Sequence, residues 1–216
     1  MRKRFDEQLE ELNHQMLDMG TMVEESIQKA IEALLKQDTE LAQSIMEADA
    51  LVDQKQKEIE NICFTLLMQQ QPVASDLRII SAALKMVTDM ERIGDHAADI
   101  SEMTIHLAKE PYIKNLEHIS KMASETMWML IQSIEAYVEK DVKKAHGVIV
   151  HDDIVDDLFA QTKQELIELI HADKNNGEQA TDLRMVAKYF ERIGDHATNI
   201  AEWVIFSITG RHVEDE

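Results

Sequence analysis

Apolar residues recur every three or four positions from Phe5 to Leu34: Phe5, Leu9, Leu12, Met16, Met19, Val23, Ile27, Ala30 and Leu34. That spacing follows the helical turn and predicts one long amphipathic helix. The stripe resumes after Asp38, whose side chain suits an N-cap, as Leu41, Ile45, Ala48, Val52, Ile59, Ile62, Cys63 and Leu66. Gln69-Gln70-Gln71-Pro72 ends this second helix, and Pro72 fits the first turn of the next. A third stripe reads Leu84, Val87, Met90, Ile93, Ala97, Ile100, Thr104 and Leu107, and Pro111 closes it. The plan then runs again. A fourth helix is expected from about Asn115 to Lys140, and a fifth from Asp141, again a capping side chain, to roughly Asn175-Asn176-Gly177. A sixth spans about Gln179 to Ile208. Helices of roughly 30 residues are about 45 Å long, and three joined by short connections form an antiparallel bundle.

The second half also repeats the letters of the first. Glu91-Arg92-Ile93-Gly94-Asp95-His96-Ala97 returns unchanged as Glu191-Arg192-Ile193-Gly194-Asp195-His196-Ala197, followed by Ile100/Ile200 and Glu102/Glu202. Upstream, Asp38 and the run Asp49-Ala50-Leu51-Val52-Asp53 align without a gap on Asp141 and Asp152-Asp153-Ile154-Val155-Asp156. A period of half the chain is too long for a solenoid unit. The expectation is an all-α protein of two tandem antiparallel three-helix bundles related by internal duplication, residues 1–110 and 111–216.

Composition agrees: 6 Gly, 2 Pro and 5% aromatics leave little for turns and sheets. The net charge of −20 disfavours binding to nucleic acid or anionic lipid through their phosphates. No apolar stretch is long enough to span a bilayer. The basic start, Met1-Arg2-Lys3-Arg4-Phe5, runs directly into Asp6-Glu7-Gln8 and so is not read as a signal peptide. The single cysteine, Cys63, lies in an apolar run and reads as a core residue in a reducing, cytoplasmic protein.

The acidic residues are patterned. Each repeat carries two carboxylate pairs at i and i+4: Asp49/Asp53 with Glu91/Asp95, then Asp152/Asp156 with Glu191/Asp195. Such spacing sets like charges on one helix face, where they repel. A multivalent hard cation, which takes several carboxylate oxygens, would remove the repulsion. On a helical wheel Glu91, Asp95 and Glu102 fall roughly 150° or more from the stripe of Met90, Ile93 and Ala97. Asp49 and Asp53 fall roughly 100° from theirs. The predicted sites therefore lie on the bundle surfaces. Asp152/Asp156 match Asp49/Asp53 better than Asp153/Asp157, which point further out. Gly94 and Gly194 cost helix stability at matching places, which fits either close helix packing or close approach of a metal cluster. His96 and His196, adjacent to an acid, do not share its face and read as hydrogen-bonded or partner-facing side chains. Arg92 and Arg192 are expected to neutralise nearby acids.

The doubled Glu-Arg-Ile-Gly-Asp-His-Ala, the acid pairs and Pro72…Asp76-Leu77-Arg78 resemble the PhoU family of phosphate-uptake regulators over almost the whole chain. The resemblance implies two three-helix bundles that bind multinuclear metal clusters on acidic faces, in a cytoplasmic, often dimeric protein that is not an enzyme. The metal, by this resemblance, is iron, zinc, manganese or magnesium. It also implies repression of the phosphate-starvation response through the transporter's ATP-binding subunit and a sensor histidine kinase. The triplet Asp182-Leu183-Arg184 departs from the pattern, standing nine residues before Glu191 where Asp76 stands fifteen before Glu91.

Two rival readings remain at this level. A di-iron oxidase needs inward-facing Glu-x-x-His pairs. Glu11/His14 and Glu168/His171 have the spacing, but both pairs fall on outer faces. The other rival is a metal-free helical scaffold.

Overall fold

The computed structural model describes residues 2–69 and 73–213, apart from the side chains of residues 2–4 and 69. Among these it has six α-helices and no strand: α1 (Arg2–Lys36), α2 (Thr39–Gln69), α3 (Ala74–Leu107), α4 (Glu117–Glu139), α5 (Val142–Ala172) and α6 (Gly177–Thr209). The expected Gln70-Gln71-Pro72 break lies outside the described residues.

The first turn of each repeat is built the same way. Gln37 and Lys140 adopt the left-handed conformation, with φ of 53° and 55°. The next residue's N–H then reaches back five positions, Asp38 to the Ala33 carbonyl (2.9 Å) and Asp141 to the Ala136 carbonyl (3.0 Å). This closes one helix. The same aspartates open the next: Asp38 Oδ1 accepts from the Leu41 N–H, and Asp141 Oδ1 from the N–H groups of Lys143 and Lys144. The fifth helix stops earlier than its sequence suggests, at Ala172. Asp173 accepts from the Asn175 N–H and starts a separate 3-10 turn, Lys174–Asn176.

Helices α1–α3 pack together, as do α4–α6. The halves join through α3 against α6 and α1 against α4. Every predicted stripe contributes to one continuous apolar core that runs through both halves. The connection between them is tied to each side. Gln37 Nε2 donates to the carbonyls of Leu107 and Glu110, and the Tyr112 hydroxyl to that of Leu34. From the second half, Gln179 donates to the Pro111 carbonyl and accepts from the Ile113 N–H.

Candidate metal centres

Asp49 and Asp53 stand one turn apart on α2, and Asp95 faces them from α3. Each offers a carboxylate oxygen within 4.8 Å of the other two. Gly94 explains how the helices come so close. A Cβ there would sit 3.1 Å from Val52 Cγ1 and 3.6 Å from Asp49 Oδ1. In the second repeat a Cβ on Gly194 would meet Asp152 Oδ1 at 3.0 Å and Val155 Cγ1 at 3.5 Å. The paired glycines thus serve helix packing and carboxylate placement together: they let α2 and α5 press an aspartate against α3 and α6.

Crowding has an electrostatic cost. Burial, and then Asp95, Asp53 and Asp99, push the Asp49 carboxyl up to about 6. Glu91 is also raised, first by burial and next by Asp95, with Arg92 opposing. Arg92 Nη1 donates to Asp95 Oδ2 at 2.8 Å, and its Nε stands 3.5 Å from Glu91 Oε2. Even so, Glu91 Oε2 is buried with no hydrogen-bond partner. An acceptor left in that state is unfavourable and calls for a ligand. Several oxygens with a net negative charge and one orphaned carboxylate oxygen fit a hard cation.

The second cluster uses the same letters and is not the same site. Burial, and then Asp195, Asp156, Glu191 and Asp153, push Asp152 up to about 6. Asp156 and Asp195 are raised by burial first and then by Glu191. Here the Lys188 ammonium pairs with Glu191 and draws both Asp156 and Asp195 back toward ionisation. The corresponding position in the first repeat is Thr88, whose hydroxyl turns back to the Leu84 carbonyl. Among the described residues, only the first cluster brings three ligand atoms within 4.8 Å of one another.

Glu91 is not on the outer face where the wheel put it. Its side chain is 15% exposed and lies in the α2–α3 seam. Helix α3 touches α1, α2 and α6, so little of its circumference is free. Asp49, Asp53, Asp95, Asp152 and Glu191 are half-buried too, whereas Asp156 and Asp195 are exposed. Glu102 is exposed.

His96 and His196 face each other across α3 and α6, their rings 5.6 Å apart. His96 Nδ1 pairs with Asp99 at 3.0 Å and rests against the Tyr189 ring, and burial lowers its pKa despite Asp99. His196 Nδ1 pairs across the repeats with Asp89 at 2.8 Å, where Asn199 also donates. Their partners are thus within this chain. Lys188, Asp89, Asp99 and Tyr189 were not singled out by sequence reasoning. Aligning the two copies at an offset of 100 residues marks all four, at three differing positions: Thr88/Lys188, Asp89/Tyr189 and Asp99/Asn199. The Glu-x-x-His pairs do not converge. Glu11, His14, Glu168 and His171 are all exposed, and the two glutamates accept from Gln15 and Gln164 on their own helices.

The two Asp-Leu-Arg triplets differ as the register suggested. Asp76 accepts from the Val73 N–H at 3.3 Å at the start of α3, with Leu77 exposed. In the second triplet Leu183 is fully buried and Arg184 exposed.

Comparison with known proteins places these features in a family. The PhoU domain model matches residues 16–104 and again 119–204, one match per repeat. The phosphate-specific transport system accessory protein PhoU homolog of Clostridium acetobutylicum is 42% identical over 214 residues, covering 99% of this chain and 98% of that protein. The corresponding homolog of Aquifex aeolicus is 38% identical, covering 88% of this chain and 86% of its own length. Among solved structures, PhoU from Pseudomonas aeruginosa superposes with a TM-score of 0.92 at 32% identity, covering 96% of this chain and all of that one.

Proposed function

The chain belongs to the PhoU family, and from that premise we propose that it restrains phosphate uptake and the phosphate-starvation response when phosphate is plentiful. The observation that carries this reading is the likeness to an accessory protein of phosphate-specific transport along 99% of the chain. It acts as an adaptor, in the cytoplasm and as a homodimer, between the transporter's ATP-binding subunit and a sensor histidine kinase. Residues 1–110 and 111–216 are its two duplicated units. The long acidic bundles suit protein partners better than small substrates, and the charge of −20 favours basic patches and salt-sensitive contacts. The reading is of an adaptor and not an enzyme.

The two carboxylate clusters hold multivalent cations in this proposal. Asp49, Asp53, Glu91 and Asp95 serve the first and Asp152, Asp156, Glu191 and Asp195 the second. A bound cation would supply charge neutralisation and bridge α2 to α3 or α5 to α6. The chain's own part is to hold the oxygens together at the seam and to exclude water from Glu91. Three convergent aspartates and the orphaned Glu91 Oε2 support it.

Two experiments test these statements. Deleting the gene should leave starvation genes active in phosphate-rich medium; normal repression, with no paralogue to compensate, refutes the regulator. Replacing Glu91→Gln and Asp95→Asn together should remove metal from the first cluster and leave the second loaded, with the helical spectrum unchanged. Metal content equal to that of the original protein refutes the ligand assignment.

A further inference from the structure

One difference between the repeats lies on the α1 side of α2, away from the seam with α3. With α1 laid on α4 and α2 on α5 at an offset of 103 residues, the helix ends coincide at the turn, Lys36 with Glu139 and Thr39 with Val142. The core positions coincide as well: Met16, Met19, Val23 and Ile27 fall on Ile119, Met122, Thr126 and Leu130, all buried. In the first repeat a groove of about 190 Å³ lies between α1 and α2. Met22, Ile45, Ala48, Leu51 and Val52 give it an apolar lining, and Leu51 is 62% exposed. Glu25 and Lys29 stand at its edge, paired with each other at 3.0 Å. The offset places Trp128 on Glu25, Met129 on Ser26 and His151 on Ala48. The second repeat thus supplies its own rings here. The Trp128 indole lies 4.1 Å from the His151 imidazole, centroid to centroid, and His151 Nε2 pairs with Glu125 at 2.7 Å. Val148, Ile154 and Val155 stand where Ile45, Leu51 and Val52 stand. One scaffold therefore occurs in two forms, with the rings built in and with them left out.

What the first repeat lacks defines what it can take. A groove of this size is small for a drug-sized ligand, which occupies roughly 300–1,000 Å³. It is close to the cavity of about 150 Å³ that holds a benzene ring. Large aromatic side chains set into such pockets are the usual anchors of protein contacts. Charge specifies what flanks the ring. Glu47, beside Ala48 and one turn from Leu51, is exposed, and its bond is to the neutral Gln43. The whole chain carries −20. Basic residues next to the aromatic anchor complement both. We propose that the groove between α1 and α2 docks an aromatic side chain, an indole above all, borne on a basic segment of a protein partner. The proposal rests on the adaptor reading for the existence of that partner, and direct binding tests it apart from regulation.

The test uses the full chain with labelled Met, Ile and Leu methyls, titrated with the capped peptide Lys-Trp-Lys and followed by NMR. Saturable shifts of the Met22, Ile45 and Leu51 methyls are expected, and none with Lys-Ala-Lys. Glu-Trp-Glu should bind about threefold more weakly, the modest effect of exposed charges. Glu25→Trp combined with Ala48→His builds the second repeat's rings into the first and should abolish the shifts with the helical spectrum unchanged. The reverse pair, Trp128→Glu with His151→Ala, should open a second groove and add a saturable shift at the Ile154 methyl. Leu51→Ser, at an exposed position that leaves the core alone, should weaken binding about tenfold through the lost apolar contact. No saturable shift with Lys-Trp-Lys, equal binding of Lys-Ala-Lys, or unchanged binding after Glu25→Trp with Ala48→His would each overturn the groove. Equal affinity for Glu-Trp-Glu would keep the aromatic anchor and overturn the basic flank. Peptide binding by a chain whose gene deletion leaves repression normal would keep the groove and refute the regulator; derepression on deletion without peptide binding would refute the groove alone.

Discussion

The two acidic clusters share seven identical consecutive residues and still differ in what they offer a cation. In the first, Asp49, Asp53 and Asp95 converge, and the position one turn before Glu91 is Thr88, uncharged and bonded to its own helix. In the second that position is Lys188, whose ammonium already sits on Glu191 and eases the crowding of Asp156 and Asp195. A tethered cation partly fills the role that a metal would play, and it repels a metal that arrives. The lesson is that a repeated motif fixes which groups are present, while one residue outside it decides whether the site is hungry or satisfied.

Exchanging that residue is the strongest way to break the contrast. Lys188→Thr should raise the second cluster's affinity for a divalent cation by about tenfold, and Thr88→Lys should lower the first cluster's by a similar factor, since one close like charge is removed or added. Titration with each single variant reads both effects, and equal affinities before and after would remove Lys188 from the account. The glycines give a smaller and sharper contrast. A methyl on Gly94 meets Val52, a β-branched side chain 2% exposed, whereas on Gly194 it first meets a carboxylate tip. Gly94→Ala should therefore destabilise by about 1 kcal/mol net, overpacking outweighing the gain in helix propensity. Gly194→Ala should be nearly neutral in a denaturant melt and show its effect as weaker metal binding, through a displaced Asp152.

The smallest effect tests where the copies agree. Asp49 and Asp152 are each raised from 3.8 to about 6. Between those values the folded chain holds more protons than the unfolded one, so each group makes metal-free stability fall as pH rises through that window. The drop in melting temperature between pH 4.5 and pH 6.5 should shrink in Asp49→Asn and equally in Asp152→Asn. A cation must displace the same protons, so metal binding should weaken below pH 6.

Much of the fold could be read from the sequence because its determinants are local. The stripes follow the helical period, Asp38 and Asp141 cap where capping side chains should, and the duplication is spelled out in the residues. The side of α3 that meets α6 escaped because it carries Ala82 and His96. Small and polar residues carry no hydrophobic signal, and a wheel drawn from one apolar stripe treats the far side of the helix as solvent. Glu91 was placed outside for a related reason on another side of the helix: it turns toward Asp49 and Asp53 on α2, beside Gly94, and neither glycine nor aspartate carries a hydrophobic signal. The acid pairs were legible as chemistry, but the ammonium between them was not, since Lys188 belongs to no motif and matters only through its distance from Glu191.

The packing of α3 on α6 implies something about how such a chain can change over generations. A half-length ancestor would leave that face of α3 bare and would need a second copy to cover it. In such a pair every substitution appears twice, so both clusters must gain or lose a lysine together. Joining the copies in one polypeptide makes their meeting intramolecular, at an effective concentration in the millimolar range. It also frees each to mutate alone. Thr88 against Lys188, Asp89 against Tyr189 and Asp99 against Asn199 are differences that a pair of identical copies could not hold.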